Sequence, residues 1–379
     1  AYPPFLDDEP GPERSLHWWH FHTSKRGVTL DLASERGREL FGKLVSGTDV
    51  LIDAEPAGRL SDLGIGYETL GEANPGLVHA AITPFGQASE RRNDPVTDLT
   101  LLAGGGPVWS CGYDDHSLPP IRGGGFQSHN IASHYAVMAI LTALLHRHAS
   151  GRGQFIDVSQ HAAANVTTEM ASYHWLVQQT TVQRQTGRHA MEHATQPTQV
   201  LCADGKHVCS GGLPRKPEEI GRLLRWLEEA GLREELPEAI FLEMGAERDH
   251  IDLSKMFEDD EVRVIFSAAR DAMTLLATRL TSVEYFRGAQ RAGMAAGVIY
   301  APEEAFEDEH FVARGFQQKL EHEDLGRSFR YPGAPYRFEK SPWALQRRAP
   351  HLGEHNDEVY AEFGVAEAER QALRTRGVI

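Results

Sequence analysis

Three features of the 379-residue sequence predict an α/β fold on a mainly parallel sheet. Short apolar strands alternate with helical stretches up to Thr83. An apolar helix from Ile131 to Leu145 stands apart from that rhythm, and the composition changes after Val177, where a second domain begins. The first strand is expected at Gly27–Leu32, rich in β-branched residues. Ser34 is a suitable N-cap for a helix from about Glu35 to Val45, and Gly47 ends it. Asp49–Asp53 is the next strand. Short helices near Leu60 and from Tyr67 to Ala73 lead to a strand at Leu77–Thr83. Repeated βα units of this kind imply parallel strands joined by right-handed crossovers. Pro84 to Pro120 reads as loop-rich.

The stretch Ile121–Gln160 is the centre of the chain. Between Ile131 and Leu145 apolar residues point in nearly every direction around a helix, so the helix is expected to be interior. Before it come Gly123, Gly124 and Gly125, then Ser128, His129 and Asn130, small and cap-forming residues placed where first-turn N–H groups need acceptors. A positive helix end facing a flexible loop suits an anion or a developing oxyanion. Ser150–Gly153 then turns the chain into a strand at Gln154–Val158, and Ser159 opens a helical run to about Val177. Further on, Gln199–Cys209 reads as a hairpin with an Asp204-Gly205 turn. Charged helices follow at Glu218–Ala230, Leu236–Met244, Asp259–Arg270, Met273–Ala277 and Val283–Arg291, and a strand at Gly297–Tyr300.

The composition excludes several classes. With 41% hydrophobic and 24% charged residues the chain is neither disordered nor membranous. No apolar run approaches the roughly 20 residues that span a bilayer, and the sequence opens without the pattern of a signal peptide, so a cytoplasmic location is expected. A net charge of −16 argues against nucleic acid as a partner. Cys111, Cys202 and Cys209 form no CxxC pair and are expected to be reduced. His17, His20 and His22, and His189 with His193, invite a metal reading, but no carboxylate or thiolate cluster accompanies them and no metal is expected.

Seven stretches, in order, resemble the class III (CaiB/BaiF-type) CoA-transferases: Lys25–Leu32, Thr48–Ile52, Leu63–Leu70, Asn74–Ile82 with Phe85-Gly-Gln87, Gly151–Val158, Ala305–Glu309 with Ala313–Gly315, and Leu352–His355 with Asp357–Val359. The resemblance implies a doubly wound, Rossmann-like large domain (residues 1–197 and 321–379), a smaller α/β domain (198–320) and two interlocked protomers. It implies an enzyme that moves CoA from an acyl-CoA to a carboxylic acid, with CoA as substrate. In the family an aspartate at the start of the buried helix attacks the thioester and forms a mixed anhydride, while glycine-loop N–H groups stabilise the oxyanions.

At that aspartate's position this sequence has His129, which cannot form the mixed anhydride. His129 is read as a cap or packing residue in a site that has lost this chemistry, or as a replacement base or acyl-imidazole nucleophile. The related racemases' histidine falls at Thr97, beside Asp98. Of the family's basic CoA contacts Lys25 persists, while one falls at Asp62 and another at Pro95; Lys25, Arg26, Phe85 and Gly86 are the expected CoA contacts. Two function classes follow. One is an aspartate-lacking subunit of a heteromeric CoA-transferase whose partner carries the aspartate. The other is a non-catalytic, acyl-CoA-binding homodimer, with different thioester chemistry at His129 as a further possibility.

Overall fold

The computed structural model describes residues 2–252 and 258–379. It divides into two compact units, one of residues 1–107, 123–169 and 305–379, the other of residues 108–122 and 170–304.

The first unit is organised on three parallel strands, β1 (Val50–Asp53), β2 (Val78–Thr83) and β3 (Phe155–Ser159), in the order β1-β2-β3. The register pairs Leu51 with His79 and His79 with Phe155, so these three side chains share one face. Its helices are α1 (Leu16–Phe21), α2 (Glu35–Ser46), α3 (Arg59–Asp62), α4 (Tyr67–Ala73), α5 (Asp98–Gly105), α6 (Gln127–Ser150) and α7 (Gln160–Val166). On one face of the sheet Val78 and Ala80 pack on Ile140 and Ala143 of α6. On the other, Leu51 and Leu77 pack with Val45 of α2 and with Tyr67 and Leu70 of α4. Helices on both faces of a parallel sheet make this the expected α/β, Rossmann-like fold. Gly153 sets the entry to β3: its N–H bonds the carbonyl of Pro75, and a Cβ there would lie 2.0 Å from the carbonyl oxygen of Leu77. Only glycine allows β3 so close to the start of β2.

Two expectations need correction. Gly27–Leu32 forms no strand, and Leu32 already lies in a turn. Its backbone bonds elsewhere: the N–H of Gly27 to His355 Nδ1, that of Thr29 to Asn356 Oδ1 and that of Asp31 to the carbonyl of Val378. The segment is thus tied to the C-terminal helices Asn356–Glu362 and Glu367–Thr375, where Leu40, Tyr360 and Leu373 form a core. The second concerns α6, which is not interior within this chain. Ala132, Ala136, Ile140 and Ala143 are buried, but Val137, Met138, Leu141 and Leu145 are 54%, 52%, 57% and 74% exposed.

The second unit holds a short hairpin of β4 (Gln183–Gln185) and β5 (Arg188–Met191), and an antiparallel sheet of β6 (Gln199–Leu201), β7 (His207–Ser210) and β8 (Ala296–Val298). Gly205 turns β6 into β7 with φ +79. Helices Pro217–Glu229, Ala239–Ala246, Asp260–Arg279 and Ser282–Arg291 pack a core of Leu223, Leu242, Ile265, Leu276 and Tyr285. The stretches expected as separate helices at 259–270 and 273–277 are one helix, because Asp271 and Ala272 interrupt neither its hydrogen bonding nor its apolar stripe.

Candidate active site

The start of α6 is held from a distance. The helix begins at Gln127, so Ser128, His129 and Asn130 lie inside its first turn rather than before it, and the residue ahead, Phe126, gives no side-chain cap. The acceptor comes from α5. Thr97 and Thr100 form a reciprocal capping box that fixes the first turn of α5. Asp98 in that turn is buried, and its Oδ1 accepts from both the N–H and the hydroxyl of Ser128, each at 2.8 Å. The carboxylate therefore satisfies an otherwise orphaned helix N–H and complements the positive helix end.

His129 stands beside this pair with its side chain half exposed. Its Nδ1 is 3.3 Å from Ser128 Oγ and 3.7 Å from Asp98 Oδ1. A carboxylate only accepts, so the Ser128 hydroxyl spends its proton on Asp98 and can only accept from His129. In that arrangement the His129 Nδ1–H is the donor of the contact. Phe126 lies edge-on to the imidazole at 5.8 Å and to His17 at 5.0 Å. In the preceding loop Gly125 has φ +79, and a Cβ at Gly124 would meet nothing within 4 Å.

Phe85 and Gly86 sit in the turn after β2. Thr83 Oγ1 accepts from Gly86 N–H at 3.1 Å, and Asp157 Oδ2 accepts from Gln87 N–H at 2.8 Å. Gly86 has φ +86, and a Cβ there would crowd the Asp157 carboxylate at 3.1 Å. Asp157 is thus a structural clamp on this turn. Arg91 lies over the Phe85 ring at 4.2 Å. Gln87 also accepts from Gly58 N–H at 2.8 Å and helps line a cavity of about 350 Å³ with Asp53, Tyr67, His79 and Phe155. His79 is buried there with no hydrogen-bond partner on either ring nitrogen, its Nε2 3.6 Å from Asp53 Oδ2.

Lys25 and Arg26 lie apart from α6 in sequence and have partners of their own. Lys25 Nζ donates to the carbonyl of Phe21 at 2.9 Å and lies 3.3 Å from His22 Nδ1; partial burial lowers its pKa. Burial, then the charge of Lys25 and His17, push His22 down to about 4. Arg26 donates to Glu358 and Glu362 at 2.8 and 2.7 Å, and these bonds raise its pKa. Among the described residues no group of three or more His, Cys, Asp or Glu is placed to hold a metal ion, and no helix is long and apolar enough to cross a membrane. The family's acidic position, which Asp98 keeps, pointed to a role in holding a helix or loop but not to Ser128 as its partner, and the wall made by His17 and Phe126 left no periodic signal.

A parallel sheet with helices on both faces, and glycines at the head of the long helix α6, defines a Rossmann-like α/β protein. Residues 3–356 match the profile of CoA-transferase family III, and the chain belongs to that family. It is 30% identical to subunit BbsE of succinyl-CoA:(R)-benzylsuccinate CoA-transferase from Thauera aromatica, over 99% of this chain and 87% of that one. It is 25% identical to the beta subunit of succinyl-CoA–L-malate CoA-transferase from Chloroflexus aurantiacus, over 96% and 85%. A CaiB/BaiF family protein from Brucella suis has the same fold, with a TM-score of 0.73 at 24% identity over 96% of this chain and 87% of that chain.

Proposed function

We propose that this chain is the aspartate-lacking subunit of a heteromeric CoA-transferase that exchanges CoA between an acyl-CoA thioester and a carboxylic acid. A partner protomer of the same family supplies the aspartate. The observation that carries this reading is His129 in the first turn of α6, at the position where the family resemblance puts the nucleophile. An imidazole there cannot form the mixed anhydride on which the exchange depends. Two supports are independent of it. The relatives from Thauera and Chloroflexus are named as subunits. The outer face of α6 also carries Val137, Met138, Leu141 and Leu145 in the open, a contiguous apolar surface of the kind partner subunits cover.

CoA is proposed to meet this chain at the turn of Phe85 and Gly86 and at Lys25, with Arg26 in a lesser part. Lys25 is bound by a carbonyl and an imidazole, which a phosphate can displace without a loss of charge pairing, whereas Arg26 is engaged by two carboxylates.

The test is CoA exchange by the isolated chain and two variants. The reading predicts baseline exchange for the isolated chain, no change in His129→Ala, and exchange above baseline in His129→Asp. Turnover by the unaltered chain that vanishes in His129→Ala would overturn it. That outcome would favour a second reading, in which the Asp98–Ser128–His129 arrangement presents Nε2 as a base for proton transfer or hydrolysis on a thioester.

A further inference from the structure

The strongest unexplained group lies in the second unit. Arg184, on β4, is only 7% exposed, yet among the described residues no carboxylate lies within ion-pair distance of it. Its Nη2 donates to the carbonyls of His116 at 3.1 Å and Leu118 at 2.9 Å, and its buried Nε has no partner. Carbonyls orient a guanidinium but do not neutralise it, so a charge is withdrawn from water without its counter-ion. The acidic residues of the facing segment are engaged elsewhere: Asp114 with Arg188, and Asp115 with the N–H and hydroxyl of Ser117.

Arg184 lines a cavity of about 540 Å³ whose lining includes Trp109, His116, Leu118 and Thr181 and no acidic residue. The Trp109 indole, 60% exposed, has its ring 5.8 Å from the guanidinium carbon. His116 turns Nε2 to the carbonyl of Arg184 at 3.1 Å, which ties the facing segment to the strand.

We infer that this cavity is a binding site for a small organic carboxylate, held by Arg184 and walled by Trp109, Leu118 and Pro119. Both Nη2 protons are taken by the two carbonyls, so the carboxylate is held at Nη1 by a charge-assisted hydrogen bond. A phosphate dianion needs more positive charge than the site has, because the lining holds no lysine and no second arginine. The apolar wall accepts the hydrocarbon part of the ligand. The inference goes beyond the CoA-transfer reading and does not depend on it.

The experiment is titration of the full-length protein with sodium succinate, followed by calorimetry and tryptophan fluorescence, with sodium phosphate at matched ionic strength in a parallel series. Saturable succinate binding is expected, with a fluorescence change that disappears in Trp109→Phe and with phosphate at least about tenfold weaker. Arg184→Gln should weaken succinate binding by more than about tenfold. Should that variant fail to fold, Thr181→Glu applies the same test, because the exposed Thr181 lines the cavity and a carboxylate there repels the ligand. The inference is overturned by absence of saturable binding, by phosphate binding as tightly as succinate, or by unchanged succinate affinity in the folded variants. The last result would place succinate elsewhere on the chain.

Discussion

The two faces of α6 differ in what covers them. The inner face is small and closed: Ala132, Ala136 and Ala143 let the helix approach the sheet and α7, and all are at most 2% exposed. The outer face is large and open, with Val137, Met138, Leu141 and Leu145 all more than half exposed. An apolar pattern on every side of a helix reports how much of it is buried in the working assembly. It does not tell which part the chain buries by itself. The inner face is a matter of folding, and the outer face is where the proposed partner would pack.

The largest effect should separate the two. Ala136→Asp puts a charge into a dry, close-packed contact and is expected to destabilise the chain by more than about 4 kcal/mol, read by urea unfolding. Leu141→Asp should leave unfolding of the isolated chain nearly unchanged and abolish co-purification of a partner. If Leu141→Asp unfolds the chain, the distinction between the faces fails.

Next comes the helix start. Asp98→Ala removes the acceptor of two bonds from buried Ser128 and should destabilise by about 2–3 kcal/mol, read the same way. Ser128→Ala removes one of those bonds together with its donor and should have the smaller effect. Equal losses would mean that the hydroxyl bond carries the whole effect and the helix N–H bond to Asp98 adds nothing.

This part of the site was only half legible in the sequence. The glycines and the apolar run located α6, and the family resemblance located His129 within it. That the helix is capped by Asp98 depends on a contact 30 residues away in the chain, which periodicity does not encode. The same limit explains Gly27–Leu32. Its β-branched residues favour a strand, but its hydrogen-bond partners are His355, Asn356 and Val378, more than 300 residues on, and it joins no sheet. The antiparallel hairpin Gln317–His322 with Arg327–Pro332 left only polar alternation around Gly326 and was not anticipated. Local signals such as the Ser34 cap and the Gly205 turn were read directly, because their causes are within a few residues.

A smaller effect sharpens the reading of the basic pair. Lys25→Met should weaken CoA binding roughly tenfold, and Arg26→Met by less than about fivefold, both by calorimetry. The reverse order would mean that the Glu358 and Glu362 pairs open readily to release Arg26.

The smallest effect is a pH dependence. The His22 pKa is lowered to about 4, first by burial, so the unfolded chain takes up this proton before the folded one. Its contribution to stability is full above about 6.5 and is lost as pH falls toward about 4. His20 and His322, also lowered mainly by burial, act in the same direction. Urea midpoints should fall over that window, and His22→Gln should flatten part of the slope. A midpoint independent of pH between these values would contradict the assignment.

The central claim is partnership, and the most direct measurement is co-purification of this chain from its native source, with mass spectrometry of the complex and a CoA-exchange assay on the same fraction. The account predicts a second family member with an intact aspartate in the complex, and exchange that depends on it. A homodimer that exchanges CoA without a partner would contradict the account and give His129 the catalytic role.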